Sequence, residues 1–140
     1  MNLPAWVESY RGIPYRRRGI GPDAFDCYGL VVTVLRDQFG VDVAALRHAR
    51  GMRLVARLAA AFDDPGARWA EVDGEPEPGD ALLFEGPENV HVGVVVAPGW
   101  MLHADERNGV ETARFARMPW AALRLGPAFR HRALAAATVT

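Results

Sequence analysis

The residues from Asp23 to Gly40 constrain the fold most, because a loop rich in glycine, proline and arginine gives way there to a helical pattern. Apolar residues recur at helical spacing from Leu30 to Phe39, an aspartate stands at the N-cap position, and Gly40 is placed to stop the helix. Cys27, the only cysteine of the chain, falls in the first turn. The pattern predicts a central helix that carries a thiol at its start.

Two interpretations of Cys27 are open at this point. The first turn of a helix offers unpaired N–H groups and the positive end of the helix dipole, and such a position stabilises a thiolate. A lone cysteine is also among the side chains most commonly buried without any chemical role. One cysteine cannot form an intrachain disulfide, so the thiol is free unless it meets another chain.

Composition narrows the class of protein. The 140 residues, half of them apolar, are predicted to form one domain over 1–140. Sixteen basic and 17 acidic side chains leave a net charge of −1, so no nucleic-acid partner is expected. No apolar run has the length of a membrane span and the N-terminus has no signal-peptide pattern, which predicts synthesis in the cytoplasm without membrane insertion.

Helical patterns come first along the chain and strand patterns second. The predicted helices are a short one over 3–10, the central one over 27–39, one over 52–62 and a single turn over 118–123. The predicted strands cover 81–84, 90–96, 100–104, 110–115 and 128–131. This order predicts an α+β fold with N-terminal helices packed on one face of an antiparallel meander sheet of about five strands. The alanine-rich tail over 133–140 is predicted to be flexible or to dock on a partner.

Two of the four histidines stand in predicted strands, where they could serve a thiol as base and orienting group. A three-residue hairpin loop over 97–99 would pair residues whose numbers sum to 196, such as Gly93 with His103. His103 would then share a face with His91, within side-chain reach, whereas a two-residue loop would put them on opposite faces. The other two histidines are flanked by arginines and are set aside: His48 and His131.

Two simpler interpretations of these histidines are also open. Each alone fits an ordinary core or surface position with a satisfied hydrogen bond. One thiol and two imidazoles are also zinc-ligand types. No Cys-x-x-Cys pair, His-x-x-x-His pair or acidic cluster accompanies them, so no metal and no other cofactor is predicted.

Five short motifs follow one another along the chain: Pro14-Tyr15, Phe25-Asp26-Cys27-x-Gly29-Leu30-Val31, Pro78-Gly79-Asp80-Ala81-Leu82, His91-Val92-Gly93 and Met101-Leu102-His103-Ala104. Together they resemble the NlpC-type cell-wall peptidases, which are papain-like cysteine enzymes. The resemblance implies that Cys27 is the nucleophile, His91 the base and His103 the residue that orients the base. It also implies that Tyr15 lies near the thiol and helps to hold the oxyanion. Asp26 matches a residue that binds the free amine of the stem peptide.

Two stretches depart from the family pattern. Tyr28 follows the cysteine where the family usually has serine, which leaves the recognition of the amine open. Arg16 and Arg17, with a third arginine after them, stand where many members have glycines. These arginines could bind the carboxylates of a stem peptide or could form a solvated basic loop.

The resemblance implies a thiol hydrolase that cuts peptidoglycan stem peptides at the bond between γ-D-glutamate and a diamino acid. Compact forms of this kind are similar to those of phage tails and gene transfer agents. The expected partners are therefore a stem peptide and tail hub or tail-tip proteins, and the expected location is a phage-like particle that acts at the cell wall. The alternative is a structural tail component that keeps the fold without activity.

Overall fold

The computed structural model describes residues 2–43, 69–86 and 90–134. Its elements, after a short 3-10 helix over Ala5–Ser9, are α1 (Cys27–Phe39), β1 (Trp69–Glu71), β2 (Ala81–Glu85), β3 (Val90–Ala97), β4 (Trp100–Asp105), β5 (Gly109–Arg114), α2 (Trp120–Leu123) and β6 (Arg124–His131). The predicted helix over 52–62, His48 and most of the predicted tail lie outside the described residues. None of the helices in the described ranges is long and apolar enough to cross a membrane.

The central helix has the predicted limits. The Asp26 side chain caps α1 by accepting a hydrogen bond from the Gly29 N–H, and Gly40 ends the helix in the left-handed conformation with φ of 67°. The first nine residues of α1 are buried. The helix packs on β3 and β4 with one side, and the loop that precedes it covers another side.

Gly29 allows this loop to lie against the helix. A Cβ atom at Gly29 would collide with the backbone carbonyl oxygen of Gly19 and would lie 2.9 Å from a carboxylate oxygen of Asp26. The loop cannot withdraw easily, because the Asp26 N–H donates to that same carbonyl of Gly19 over 2.9 Å. The glycine two residues after the cysteine is therefore required by backbone packing.

Gly29→Ala is expected to destabilise the protein by about 1–3 kcal/mol, because the collision outweighs the gain of about 1 kcal/mol that alanine brings to a helix. Urea unfolding followed by circular dichroism measures the change. Arg36→Ala, at an exposed position of the same helix, is the matched control and should change stability by less than about 0.5 kcal/mol. Equal midpoints for Gly29→Ala and the wild type would contradict the packing argument.

The sheet has six antiparallel strands in the order β1-β6-β2-β3-β4-β5, where about five were predicted. The additional strand, β1, has only three residues and too little pattern to be predicted. Only β2 to β5 form a meander. The last strand, β6, returns to lie between β2 and β1, because its residues pair with both.

The sheet is covered on both faces, whereas helices on one face were predicted. The face toward α1 carries the main core, which includes Val92, Val94 and Leu102. The opposite face carries a second core, which includes Phe84 and Met101 and has α2 packed against it. The alternation of side chains along each strand separates the two cores.

The β3–β4 hairpin keeps the predicted register with a different turn. Val94 pairs with Leu102 and Val95 with Met101, so these residue numbers sum to 196 as predicted. The turn has two residues, because Ala97 pairs with Trp100, and the predicted three-residue loop is wrong. An irregularity between Val95 and Ala97 supplies the extra residue. This bulge restores the alignment that a two-residue turn alone would have lost.

A buried ion pair joins the turn before β2 to β6. Asp80 is 0% exposed and accepts hydrogen bonds from Nε and Nη2 of Arg130 over 2.7 and 2.9 Å. Its carboxylate also accepts the backbone N–H of Glu77 over 2.8 Å. These contacts explain the aspartate of the Pro78-Gly79-Asp80 motif as a structural residue.

Candidate active site

The thiol of Cys27 lies in the first turn of α1, at the end of the sheet where β3 and β4 part. The pairs between these strands run only from Ala97 back to Val94, whereas β4 pairs with β5 as far as Asp105. The backbone N–H of Val92 lies beyond the last β3–β4 pair and interacts with the sulfur of Cys27. The backbone N–H groups of Cys27 and Tyr28 also face this sulfur.

The charge state of the thiol differs from the sequence-based expectation. Burial, the largest effect, and the charge of Asp26 raise the pKa of Cys27 from 9.0 to about 11, although the three backbone N–H groups offset part of the increase. A side chain that is only 9% exposed loses most of the hydration that a thiolate needs. The N–H groups at the helix start do face the sulfur, but the prediction that they stabilise a resting thiolate is wrong, because burial has the larger effect on the pKa. Any attack by this sulfur on a substrate would therefore require loss of its proton in the same step.

The two strand histidines meet. Nε2 of His91 lies 2.9 Å from Nδ1 of His103, and the ring centroids are 5.0 Å apart with the rings nearly perpendicular. A Cβ atom at Gly93 would lie 3.6 Å from the Cβ of His103, which is the predicted opposition of these residues. The predicted contact between the imidazoles is thus confirmed. Because Nε2 of His91 is engaged, Nδ1 is the nitrogen left for proton exchange with a thiol.

Trp120, on α2, covers this histidine pair. Its ring stacks on His91 with centroids 5.5 Å apart and meets the ring of His103 edge-on at 4.7 Å. Burial lowers the pKa of both imidazoles from 6.5 to about 4, although the nearby charge of Asp105 raises it in part. Both rings are therefore neutral at pH 7. Neither Trp120 nor Asp105 was singled out in the sequence, because only the folding of α2 and the end of β4 onto the site brings them close.

Unfolding free energy is expected to fall as the pH decreases from about 6.5 to about 4. The unfolded chain binds protons in this range while the buried imidazoles do not, so the contribution present above pH 6.5 is lost by pH 4. For His103, which is 3% exposed, the loss is on the order of 3 kcal/mol. Urea unfolding at a series of pH values measures it. His103→Asn should show a shallower dependence over this range, and an unchanged slope in that variant would contradict the assignment.

Tyr15 lies near Cys27, because the two side chains interact electrostatically. A β-bridge to Phe25 and the hydrogen bond from the Phe25 N–H to the Pro14 carbonyl hold the tyrosine beside the start of α1. Burial, followed by the charges of Cys27 and Asp26, raises the pKa of Tyr15 to about 12. Its hydroxyl is therefore a neutral donor over the physiological pH range.

The remaining predicted site residues divide between core and surface. The Tyr28 side chain is buried in the main core, so its backbone N–H is the part that faces the thiol. Asp26 is half-buried and uses one carboxylate oxygen to cap α1. Arg16 and Arg17 are exposed, and the charge of Arg17 acts on the Tyr15 hydroxyl. Substrate binding by these residues stays a prediction. Within residues 2–43, 69–86 and 90–134, no group of three or more potential ligands could hold a metal ion.

A helix that begins with a thiol, packed on an antiparallel sheet with a histidine pair on two of its inner strands, belongs to the papain-like class of α+β domains. More narrowly, the chain belongs to the NlpC/P60 family, whose model matches residues 12–127.

Relatives and solved structures agree with this assignment. The Escherichia coli (strain K12) protein named "Probable endopeptidase NlpC" is 26% identical over 117 residues, which cover 81% of this chain and 67% of that protein. The NlpC/P60 domain of the peptidoglycan hydrolase SagA is 25% identical with a TM-score of 0.52, over 79% of this chain and 84% of that domain. A lipoprotein-like NLP/P60 structure from Staphylococcus aureus shares the fold, with 22% identity and a TM-score of 0.60 over 89% of this chain. This chain spans only 38% of that last protein.

Proposed function

We propose that the protein is a cysteine peptidase that hydrolyses peptide bonds of the bacterial cell wall, with Cys27 as nucleophile, His91 as general base and His103 as the residue that orients His91. The observation that carries this proposal is the 2.9 Å contact between Nε2 of His91 and Nδ1 of His103, at the end of the sheet where the Cys27 sulfur interacts with Val92, the next residue after His91. Membership of the NlpC/P60 family supports the same activity.

The proposed reaction begins with both partners neutral, in agreement with the raised pKa of Cys27 and the lowered pKa of His91. As the sulfur bonds to the scissile carbonyl carbon, its proton passes to Nδ1 of His91. The oxyanion would be held by the backbone N–H of Cys27 or Tyr28 and by the Tyr15 hydroxyl.

The second half of the reaction returns the proton. The His91 imidazolium donates it to the leaving amine as the C–N bond breaks, which leaves a thioester on Cys27. His91 then takes a proton from water as the water oxygen attacks the thioester carbonyl. The C–S bond breaks, the sulfur recovers a proton from His91, and a free carboxylate is released.

We propose peptidoglycan stem peptides as the substrate, cut between γ-D-glutamate and the diamino acid. Similarity to the domain of SagA, a peptidoglycan hydrolase, supports the substrate class. The charges of Asp26 and Arg17 both act on Tyr15, and the exposed Arg16 precedes Arg17, so this loop offers groups suited to a peptide with several charges. The association with a phage-like tail stays a prediction, and mass spectrometry of purified particles would test it.

Digestion of purified muropeptides, followed by mass spectrometry, tests the function. The wild type should release fragments that end in γ-D-glutamate and fragments that begin with the free amine of the diamino acid, while Cys27→Ser should release neither. Arg36→Gln, at an exposed position of α1, is the matched control and should cut like the wild type. Absence of cleavage by the wild type would favour the structural tail component, and equal cleavage by Cys27→Ser would exclude this nucleophile.

A further inference from the structure

A cleft of about 430 Å³ lies beside α2, and neither Cys27 nor Trp120 is among the residues that line it. Its apolar lining comes from Phe115 and Ala128 of the second core, with Val72 and Ala121 beside them. The segment after β1 forms one wall, and α2 with the start of β6 forms the other. A volume of this size suits a small ligand.

Two charged side chains line the cleft among the described residues, and one of them lacks a hydrogen-bond partner. Nε of Arg124 is buried and has no acceptor in the part of the chain that the structure describes. The guanidinium carbon lies 5.9 Å from the centre of the Phe115 ring, and burial lowers the pKa of Arg124. The second charged residue, Glu75, is exposed at the rim.

Arg130, on the same strand, provides a comparison, because its guanidinium is paired with carboxylates. Its Nε and Nη2 donate to Asp80, and Nη2 also lies 3.2 Å from Glu77. These carboxylates raise the pKa of Arg130, whereas no carboxylate contributes to the shift of Arg124. A half-buried guanidinium with no carboxylate beside it among the described residues is an uncompensated charge. A carboxylate in the cleft would compensate it by accepting hydrogen bonds from the terminal nitrogens, because the buried Nε is out of a ligand's reach.

We propose that this cleft binds a small monocarboxylate with an apolar side group, such as the C-terminal residue of a peptide, through Arg124. The planar guanidinium matches a carboxylate, and the apolar floor formed with Phe115 and Ala128 takes the side group. The negative charge of Glu75 at the rim disfavours a phosphate dianion in comparison with a single carboxylate. The site is separate from the thiol and does not depend on the proposed peptidase activity.

Titration of the ¹⁵N-labelled protein with N-acetylalanine tests the site. The Nε–Hε resonance of Arg124, assigned by its absence in Arg124→Met, should shift in a saturable manner. N-acetylalaninamide, which lacks the charge, should produce no such shift. Inorganic phosphate should bind more weakly than N-acetylalanine. Equal shifts with the amide, tighter binding of phosphate, or no saturation with N-acetylalanine would each overturn the proposal.

Variants separate binding from folding. Arg124→Met keeps the aliphatic stem, should bind N-acetylalanine at least about tenfold more weakly in calorimetry, and should melt no lower than the wild type because an unsatisfied cation is removed. Arg124→Gln is a second variant, to be used if the Arg124→Met protein does not fold. Arg117→Gln changes an exposed arginine just before α2 and should bind as the wild type does. Unchanged affinity in Arg124→Met and Arg124→Gln would overturn the assignment to Arg124.

Discussion

His91→Ala is expected to lower kcat/KM for muropeptide cleavage by about 10³-fold or more, because the raised pKa of Cys27 leaves almost no thiolate at pH 7. Without an imidazole at this position the sulfur proton has no acceptor during attack, and the leaving amine has no donor. Steady-state rates on a purified muropeptide measure the loss.

A variant of His103, the proposed orienting residue, is expected to lose less activity than a variant of His91. His103→Ala should lower kcat/KM less than His91→Ala, because the variant retains the proposed base and loses only its contact with the second imidazole. Normal far-ultraviolet circular dichroism of both variants is the control for folding. A His91→Ala enzyme with more than about a tenth of wild-type kcat/KM would contradict the assignment of the base.

The second large effect is expected on stability. Asp80→Ala should lower the unfolding free energy by about 3–5 kcal/mol, because it leaves Arg130 without its buried partner and the Glu77 N–H without an acceptor. The midpoint of urea unfolding measures the loss.

Glu77→Gln is the matched control for this ion pair. The Glu77 carboxylate also lies near Arg130, at 3.2 Å, but its side chain is 64% exposed. Its removal should therefore cost less than about 1 kcal/mol. Similar losses for the two variants would mean that the burial of Asp80 contributes little.

Local chemistry accounts for what could be predicted from the sequence. The limits of α1 follow from a capping aspartate and a terminal glycine, both next to the residues that they act on. The meeting of His91 and His103 follows from the alternation of side chains along two adjacent strands, in a register that the bulge preserves although the predicted turn length was wrong. Both predictions use only short-range geometry.

Long-range contacts account for what could not be predicted. The return of β6 to β2 places Arg124 and Arg130 in the sheet, and no pattern within β6 specifies its neighbour. Trp120 reaches the histidine pair only because α2 folds over the second core. The raised pKa of Cys27 reflects how much protein surrounds the sulfur, which the helix-start pattern does not report. Three-residue β1 is too short for any periodicity to show.

The bulge in the β3–β4 hairpin determines whether His91 and His103 lie on the same face of the sheet. Val95 pairs with Met101 and Ala97 pairs with Trp100, so Val96 is the bulged residue, which has no partner on β4. Loss of a codon at Val96 would leave every cross-strand pair in place, with the imidazoles still together. Loss or gain of a single codon within the paired residues of either strand would instead shift the register and turn one imidazole to the other face, unless another bulge compensates. Length variation in this hairpin is therefore compatible with the histidine contact at the bulge and in the turn, and is restricted along the paired strands.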